Sequence, residues 1–228
     1  MLLSSCNDNN TNPSEIDSFD FPLAVGNEWT YGVYDLDENH EKIDDYDYKY
    51  SIRVTNKLNF RGKSAYEIEK DIPFNDKYYS VENSGIYLHL DYENMNSNEK
   101  IRYPDEWIKF YDFSKDYWTM YRKEMKLVNG NVVSKGTLST YGSKTGEKTI
   151  TIDGNDVVLY EFLEIFVSEE YRTENNVTEH FITRDTTPRI IADGIGLYSN
   201  KKKWYPDNEP FPDYGFEVRL IDYKLTDK

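Results

Sequence analysis

Three histidines and one cysteine are the residues of this chain best suited to act as a nucleophile, a general base or a zinc ligand. His40, His89 and His180 lie far apart in sequence, and no two of them have the spacing of a zinc site. No Gly-x-Ser-x-Gly elbow is present, and no histidine lies in a recognised catalytic context. His89 falls on the predicted solvated face of its strand, so we expect it to be exposed. The sequence favours a protein that is not an enzyme, and it predicts neither zinc nor another cofactor.

Oxygen ligands suited to calcium occur at alternate positions shortly before residue 40. They belong to Asp35, Asp37 and Asn39. The EF-hand pattern fails, because His40 stands where that loop requires glycine and Tyr46 where it requires glutamate. We therefore expect a solvated hairpin loop here, with calcium binding as the alternative.

Aromatic side chains are the remaining candidates for a binding role, since 16% of the residues are Phe, Trp or Tyr. Their rings can stack on sugars or pack against acyl chains. Those that could line a groove are Trp107, Tyr111, Tyr117, Trp118, Tyr121, Trp204 and Tyr205, and the polar stretch 206–213 could border it. The alternative is that most of these rings belong to the core, because aromatic residues at strand spacing usually face inward.

The single cysteine lies in a segment similar to a lipobox. Leu3-Ser4-Ser5-Cys6 has an aliphatic residue, two small residues and then the cysteine, and it resembles the end of a bacterial lipoprotein signal peptide. The resemblance implies cleavage before Cys6 and attachment of lipid to its sulfur. The basic region and most of the apolar region of such signals are missing, so we interpret residues 1–5 as the remnant of a signal peptide. The alternative is a free surface cysteine beside an arbitrary start.

Residues 6–19 are predicted to form the lipidated cysteine and a flexible tether. The stretch 7–15 is polar, rich in asparagine and without periodicity. No apolar run approaches the roughly 20 residues that a spanning helix requires, so the predicted membrane contact is the lipid on Cys6. We expect a protein of the bacterial cell envelope, anchored to the outer membrane, with its domain in the periplasm or at the cell surface.

The charge of the chain opposes binding to nucleic acids. Its formal net charge is −15 and its pI is near 4.7, so no basic face is available to neutralise phosphates. The longest basic run, the three lysines at 201–203, is interpreted as part of a solvated edge strand. Nucleic acid is therefore not an expected partner.

Alternation of apolar and polar residues predicts β-strands along most of the chain. In the clearest case, 46–54, the apolar set is Tyr46, Tyr48, Tyr50, Ile52 and Val54. Further strands are predicted at 29–33, 66–69, 86–92, 107–113, 117–128, 147–152, 157–168, 179–183, 196–204 and 216–223. Asn129-Gly130 and Asp153-Gly154 predict tight hairpin turns.

The fold class follows from this pattern, because one buried and one solvated face per strand is typical of an antiparallel sheet. The stretch 157–167 is apolar on both faces and is predicted to form a central strand covered on both sides. No linker or repeat interrupts residues 20–226. The predicted fold is all-β with few short helices. Residues 20–228 are expected to form a single domain with one antiparallel curved sheet, as a half-barrel or a sandwich.

Two short stretches, 21–31 and 193–198, carry a resemblance to a protein family. They read FPLAVGNEWTY and DGIGLY, and they resemble uncharacterised envelope lipoproteins of the Bacteroidota type. The resemblance implies an open β half-barrel related to lipoprotein carriers, which hold acyl chains on a concave sheet, and it implies no catalytic residue. From the residues themselves, Gly26-Asn27 predicts a turn before the first strand, and Gly194 and Gly196 predict a bulge.

Three functions are compatible with these observations. The first is a lipid-anchored envelope protein whose curved sheet binds a hydrophobic or glycan ligand, or another envelope protein, without catalysis. The second is a secreted hydrolase acting on polysaccharide, since 42 acidic residues could include a carboxylate pair. The third is a purely structural surface module, for which no concave pocket is expected. The first is favoured because the lipobox-like start and the tether accompany no catalytic motif.

Overall fold

The computed structural model describes residues 19–43, 45, 47–72, 76–82, 85–203 and 214–226, without the side chain of Asn98. Several predicted features lie outside these ranges. They are the signal remnant 1–5, Cys6 with the tether that follows it, Trp204 and Tyr205, and the polar stretch 206–213. These features stay predictions.

Twelve β-strands form most of the described structure. The first six are β1 (Glu28–Asp35), β2 (Tyr48–Phe60), β3 (Lys63–Lys70), β4 (Asp76–Glu82), β5 (Gly85–Leu90) and β6 (Ile108–Asp112). The others are β7 (Tyr117–Asn129), β8 (Val132–Ile152), β9 (Asn155–Glu174), β10 (Val177–Ala192), β11 (Gly196–Lys203) and β12 (Gly215–Lys224). A 3-10 helix (Tyr92–Asn94) and α1 (Ser97–Arg102) lie between β5 and β6. Within the described ranges, no helix is long and apolar enough to cross a membrane.

All of these strands belong to one antiparallel sheet with the order β6-β5-β4-β3-β2-β1-β12-β11-β10-β9-β8-β7. Neighbours in the sheet are neighbours in sequence, except that β1 pairs with β12 and thereby joins two meanders. The sheet curls until its ends, β6 and β7, approach each other, so it is nearly closed into a barrel. The predicted all-β class and single curved antiparallel sheet are confirmed. The described residues form a barrel-like sheet rather than a sandwich.

A tryptophan side chain bridges the seam between β6 and β7. The Trp118 indole Nε1 donates a hydrogen bond to the carbonyl oxygen of Lys109 at 3.0 Å. The same ring lies against Gly142 of β8, where an added Cβ would be 2.0 Å from Cζ2 of Trp118. Glycine is required at this position, because any side chain would displace the ring that links the two ends of the sheet.

Residues in the left-handed region form the tight turns between neighbouring strands. Asp153 (φ 49°) and Gly154 (φ 81°) join β8 to β9, and Gly130 (φ 57°) lies between β7 and β8. Both predicted hairpins are thus confirmed. Asn175 (φ 49°) and Asn176 (φ 64°) form a further turn between β9 and β10, and the alternation pattern alone does not predict it. Asparagine tolerates this region because its short polar side chain can bond to the local backbone.

Strands β8, β9 and β10 are longer than the alternation pattern predicts, with 21, 20 and 16 residues. The tips of the β7–β8 and β9–β10 hairpins lie side by side, since Val133 pairs with Thr173. Strand β10 pairs with β11 only over 189–192, and residues 174–184 are all exposed. The distal parts of β7–β10 therefore project beyond the rest of the sheet.

The predicted burial of 157–167 on both faces is only partly correct. This stretch lies in β9, which is third from the β7 end of the sheet rather than central. Leu159 is 1% exposed and clusters with Ala192 and Ile195 on one face, while Phe162 is 3% exposed and contacts Tyr111 on the other. The other members are half-buried, because the strand continues into the solvated projection.

The predicted exposure of His89 is wrong, and the predicted edge position of the three lysines at 201–203 is only partly correct. His89 is 2% exposed, because Trp107 covers that face of β5 and its ring meets the imidazole edge-on at 5.4 Å. The Nδ1 of His89 lies 2.7 Å from the carbonyl oxygen of Leu90. The three lysines at 201–203 lie in β11, an interior strand of the sheet, but its pairing with β10 ends at Asn200, and these lysines pair with β12.

Candidate functional site

The interior of the barrel holds a cavity of about 490 Å³. Its wall is formed by side chains from β1–β6 and β10–β12, together with residues of the connecting segments. The volume lies within the range of about 300–1,000 Å³ that is usual for small-molecule pockets. The apolar part of the wall consists of Phe21, Leu23, Trp29, Tyr31, Ile52, Ile68, Leu88, Leu90, Phe110, Ile191, Leu197, Phe216 and Val218. Such a wall suits a ligand with an apolar body.

Strand β1 places two aromatic side chains on this wall, as its alternation predicts. The Trp29 indole Nε1 donates to the carbonyl oxygen of Ile195 at 2.6 Å, and the Tyr31 hydroxyl donates to that of Leu197 at 3.1 Å. Both side chains reach across β12 to the start of β11, so the two stretches that carry the family resemblance meet in the folded chain. Because their polar atoms are bound to backbone, the two side chains offer ring faces to the cavity.

The glycines of the second stretch allow this approach. Gly194 and Gly196 have φ values of 68° and 111°, and the pairing of β10 with β11 shifts register between Ile190 and Ile191, beside the predicted bulge. A Cβ added to Gly196 would lie 3.4 Å from Nε1 of Trp29, an ordinary contact distance. Glycine is therefore favoured here by its positive φ, which L side chains rarely adopt, and not by lack of space.

An ion pair between Arg189 of β10 and Glu164 of β9 lies at the cavity. Nε and one terminal nitrogen of Arg189 donate to Oε2 of Glu164 at 2.8 and 2.5 Å. Both side chains are mostly buried, with 19% and 23% exposed, and the guanidinium lies 5.0 Å from the ring centre of Phe110. Burial acts to lower the pKa of Arg189, but Glu164 and Tyr111 outweigh it and raise the pKa, so the guanidinium stays charged.

A second ion pair joins β3 to β4. The Lys70 Nζ donates to Oδ2 of Asp76, and the Tyr79 hydroxyl donates to the same oxygen at 2.6 Å. Burial acts to raise the pKa of Asp76, but Lys70 and the hydrogen bonds from Lys70 and Tyr79 outweigh it and lower the pKa below its ordinary 3.8. Of the described residues that line the cavity, Asp76 is the only acid. A glycosidase acid needs a raised pKa, so Asp76 lacks the property that the hydrolase hypothesis requires.

Tyr111 of β6 brings an unusual hydroxyl group to the wall. The side chain is 3% exposed, and its hydroxyl has no hydrogen-bond partner of ordinary geometry among the described residues. Burial raises the pKa of Tyr111, and the neighbouring Arg189 guanidinium offsets part of this shift. An unsatisfied buried polar group costs about 1–3 kcal/mol. A ligand with an acceptor oxygen would remove this cost.

Two of the predicted aromatics, Tyr111 and Trp118, come together on Phe162 of β9. Their ring centres lie 5.1 and 5.9 Å from that of Phe162. Tyr121 is partly buried beside the same cluster. Of the predicted aromatics that the structure describes, only Tyr111 lines the cavity. Trp118 is a core residue that closes the barrel, and a binding role for Tyr111 stays a prediction.

The other predicted aromatics lie away from the cavity or outside the described residues. Trp107 packs on His89, which alternates along β5 with the cavity-lining residues and so lies on the opposite face. Tyr117 is 55% exposed and stacks on Tyr141 at 5.5 Å. Trp204 and Tyr205 fall in the part of the chain that the structure does not describe.

Of the predicted calcium ligands, Asp35 is the last residue of β1, and Asp37 and Asn39 lie in the turn that follows it. Oδ1 of Asp37 accepts hydrogen bonds from the backbone N–H groups of Asn39 and Glu41 at 2.9 and 2.8 Å, and Asp35 is exposed. Within the described residues, no group of three or more His, Cys, Asp or Glu could hold a metal ion. The Asp37 carboxylate thus stabilises its own loop, and calcium binding there remains the untested alternative.

Alternation alone does not identify the ion pair that Arg189, which lines the cavity, makes with Glu164. Arg189 and Glu164 are two among 27 basic and 42 acidic residues, and most charged side chains in strands face solvent. The position of each charged residue in the alternation could identify it, because Arg189 is two residues from Ile191 and Glu164 is two residues from Phe162. Residues two apart in a strand share a face, so both charges lie on the apolar side of their strands.

Comparison with known proteins finds solved structures that align with most of this chain, but no protein that matches it in sequence. No family model matches the chain, and no curated protein matches it. A solved structure of a proposed lipoprotein from Parabacteroides distasonis aligns over 91% of this chain and 99% of its own, with 11% identity and a TM-score of 0.47. The hypothetical lipoprotein YmcC from Escherichia coli aligns over 91% and 92%, with 12% identity and a TM-score of 0.29. The function is therefore inferred from this chain's own residues.

Proposed function

We propose that the protein is a lipid-anchored envelope protein that binds an apolar small molecule inside its barrel, without catalysing a reaction. The observation that carries this proposal is the interior cavity, with its apolar wall and the buried Tyr111 hydroxyl, whose proton has no acceptor of ordinary geometry among the described residues. A purely structural module has no use for such a cavity, because an unfilled apolar cavity lowers the stability of the fold. The cavity therefore favours binding over a structural role.

The anchoring part of the proposal rests on the sequence. Leu3-Ser4-Ser5-Cys6 is similar to a lipobox, and the polar stretch after it suits a tether. A lipid on Cys6 would hold the barrel near a membrane surface, where apolar molecules are abundant. The proposed compartment and the proposed ligand chemistry thus agree with each other.

Binding is tested with N-phenyl-1-naphthylamine, an uncharged probe whose fluorescence rises in apolar surroundings. We expect saturable binding to the wild-type protein and strongly weakened binding to Val218→Phe, because Val218 lines the cavity from β12. Val177→Phe is the matched control, since Val177 is 64% exposed at a hairpin tip. If Val218→Phe does not fold, Thr187→Phe enters the cavity from β10 instead.

Two results of the probe experiment would contradict the proposed binding function. Absence of saturable binding to the wild-type protein contradicts the binding function. Equal binding by Val177→Phe and a folded cavity variant shows that the probe binds elsewhere, which also contradicts it.

The anchor is tested separately, by intact mass spectrometry of the protein extracted from membranes of the cells that make it. We expect a diacylglycerol mass on Cys6, and release of Cys6→Ser into the soluble fraction. An unmodified Cys6 removes the anchor but leaves the binding proposal unaffected.

A further inference from the structure

Each of the three cations that line the cavity is paired with a carboxylate, and of these carboxylates Asp76 alone lines the cavity in the described structure. These pairs are Lys70 with Asp76, Arg189 with Glu164, and Lys202 with Asp185. Each pair joins two strands that are neighbours in the sheet. Every cation that lines the described part of the cavity therefore already has a carboxylate beside it, and the three pairs together contribute no net charge.

This balance opposes an anionic ligand. A carboxylate placed beside Arg189 would meet a guanidinium that already bonds to Glu164. It would add one negative charge without a cation to compensate it, in surroundings that are largely apolar. A buried charge without a partner is strongly disfavoured. An uncharged ligand meets no such opposition.

Tyr111 supplies a hydrogen bond that an uncharged ligand can use. Its hydroxyl is buried beside Arg189, which can only donate to the phenol oxygen, and its proton has no acceptor of ordinary geometry among the described residues. Since burial raises its pKa, the phenol is protonated at neutral pH and can donate. Phe110 and Phe162 flank the ring at 4.7 and 5.1 Å. This corner of the cavity therefore has a hydrogen-bond donor in apolar surroundings, and a ligand with an acceptor oxygen would complement it.

We propose that the cavity selects an uncharged ligand with a hydrocarbon body and one acceptor oxygen, such as an ester, ketone or alcohol, whose oxygen is bound by Tyr111. This inference rests on the proposed binding function and specifies its ligand class. The hydrocarbon body packs against the ring faces of Trp29 and Tyr31, and Glu164 acts as the element that rejects carboxylates.

The selectivity is tested by displacing bound N-phenyl-1-naphthylamine at neutral pH with methyl dodecanoate or with dodecanoate, which differ in the charge of the head group. We expect the ester to displace the probe at a concentration lower by about tenfold, which corresponds to about 1.4 kcal/mol. Equal displacement, stronger displacement by the carboxylate, or displacement by neither overturns the inference. In each of these cases the probe still binds, so the binding function itself stands.

The role of Tyr111 is tested by Tyr111→Phe, with Tyr117→Phe as a matched control at a position that is 55% exposed. Loss of one hydrogen bond is expected to weaken binding of methyl dodecanoate by about three- to tenfold. Urea denaturation of the same variant establishes that it is folded before the affinities are compared. Wild-type affinity in Tyr111→Phe overturns the inference.

The role of Glu164 is tested by Glu164→Gln, which removes a negative charge and keeps an acceptor for Arg189. The ratio of carboxylate to ester affinity should rise by about tenfold, because Arg189 is then free to compensate a carboxylate. Glu161→Gln is the control on the opposite face of β9, where Glu161 pairs with Lys148, and it should leave the ratio unchanged. An unchanged ratio in folded Glu164→Gln overturns the inference. If that variant does not fold, the wild-type ratio and Tyr111→Phe decide.

Discussion

The indole Nε1 of Trp29 lies 2.6 Å from the carbonyl oxygen of Ile195, so a side chain of β1 is bound to the turn that precedes β11. The hydroxyl of Tyr31 makes a similar bond to Leu197. A ring fixed through its polar atom presents a defined apolar face. The two stretches that carry the family resemblance therefore build one side of the cavity, while ligand selectivity is assigned to Tyr111 and Glu164, outside those stretches.

Trp29→Phe is expected to lower the free energy of unfolding by about 2–4 kcal/mol, because it removes ring volume and leaves the buried Ile195 carbonyl without its donor. Trp107→Phe is the matched control, since the Trp107 Nε1 has no hydrogen-bond partner among the described residues. Urea denaturation of both variants measures the difference. Equal losses in the two variants contradict the role given to the Trp29 bond.

Gly142→Ala is expected to destabilise the protein by about 1–3 kcal/mol or more, because its Cβ overlaps the Trp118 ring at the barrel seam. Gly146→Ala, in the same strand, is the control, since its added Cβ would meet only the flexible Oε2 of Glu161 at 3.3 Å. Thermal unfolding followed by tryptophan fluorescence compares the two. A Gly142→Ala protein as stable as Gly146→Ala shows that the seam tolerates displacement of Trp118.

Local patterns predict the strands and turns of this fold well, but not its closure. Alternation places Tyr50 and Val54 on the buried face of β2, and Asp153-Gly154 specifies its hairpin by its backbone preference. Closure depends on Trp118 meeting Lys109 and Gly142, which are contacts between different strands. No local period encodes such contacts, so the sequence leaves half-barrel and sandwich as alternatives where the structure forms a nearly closed barrel.

The candidate site is less predictable than the fold. Tyr111 is predicted as a binding aromatic because rings can stack on ligands, whereas Arg189 and Glu164 resemble ordinary surface charges. His89 shows the same kind of error, since its alternation predicts exposure but Trp107 covers it. In each case the outcome depends on which segment packs over the strand, and the strand's own residues do not specify that segment.

The protein is expected to lose stability as the pH rises from about 10 to about 12. Burial raises the pKa of Tyr121 to about 12, and it also raises the pKa values of Tyr31, Tyr79 and Tyr111. The folded state holds these protons where the unfolded chain releases them, so the stabilisation is complete below pH 10 and is lost above it. Each of these tyrosines lowers the free energy of unfolding by up to about 1.4 kcal/mol for each pH unit in this range.

Tyrosinate absorbance during an alkaline titration measures this effect. One group of tyrosines should ionise near pH 10, the ordinary value, and another only as the protein unfolds. Ionisation of all tyrosines in one step near pH 10, with the structure retained, contradicts the burial of these hydroxyls.

A second loss of stability is expected on the acid side. Burial lowers the pKa of His89 below its ordinary 6.5, so the unfolded chain takes up a proton that the folded protein resists. The stabilisation is complete above pH 6.5 and is lost as the pH falls through the lowered pKa. The lowered pKa of Asp76 acts in a separate window, below its ordinary 3.8.

His89→Gln separates this contribution from the others. The free energy of unfolding should depend less on pH below 6.5 in His89→Gln than in the wild-type protein. His180→Gln makes the same substitution at a side chain that is 41% exposed and serves as the control for the substitution itself. Urea denaturation at a series of pH values provides the comparison, and equal pH slopes in all three proteins contradict the prediction.

The most direct test of the central claim is a crystal structure of the protein with methyl dodecanoate. We expect the hydrocarbon chain inside the barrel, against Trp29 and Tyr31, with the ester carbonyl oxygen about 2.6–2.8 Å from the Tyr111 hydroxyl. Methyl dodecanoate bound only on the outer surface, or a cavity that stays free of the ester at saturating concentration, would contradict the proposed binding inside the barrel.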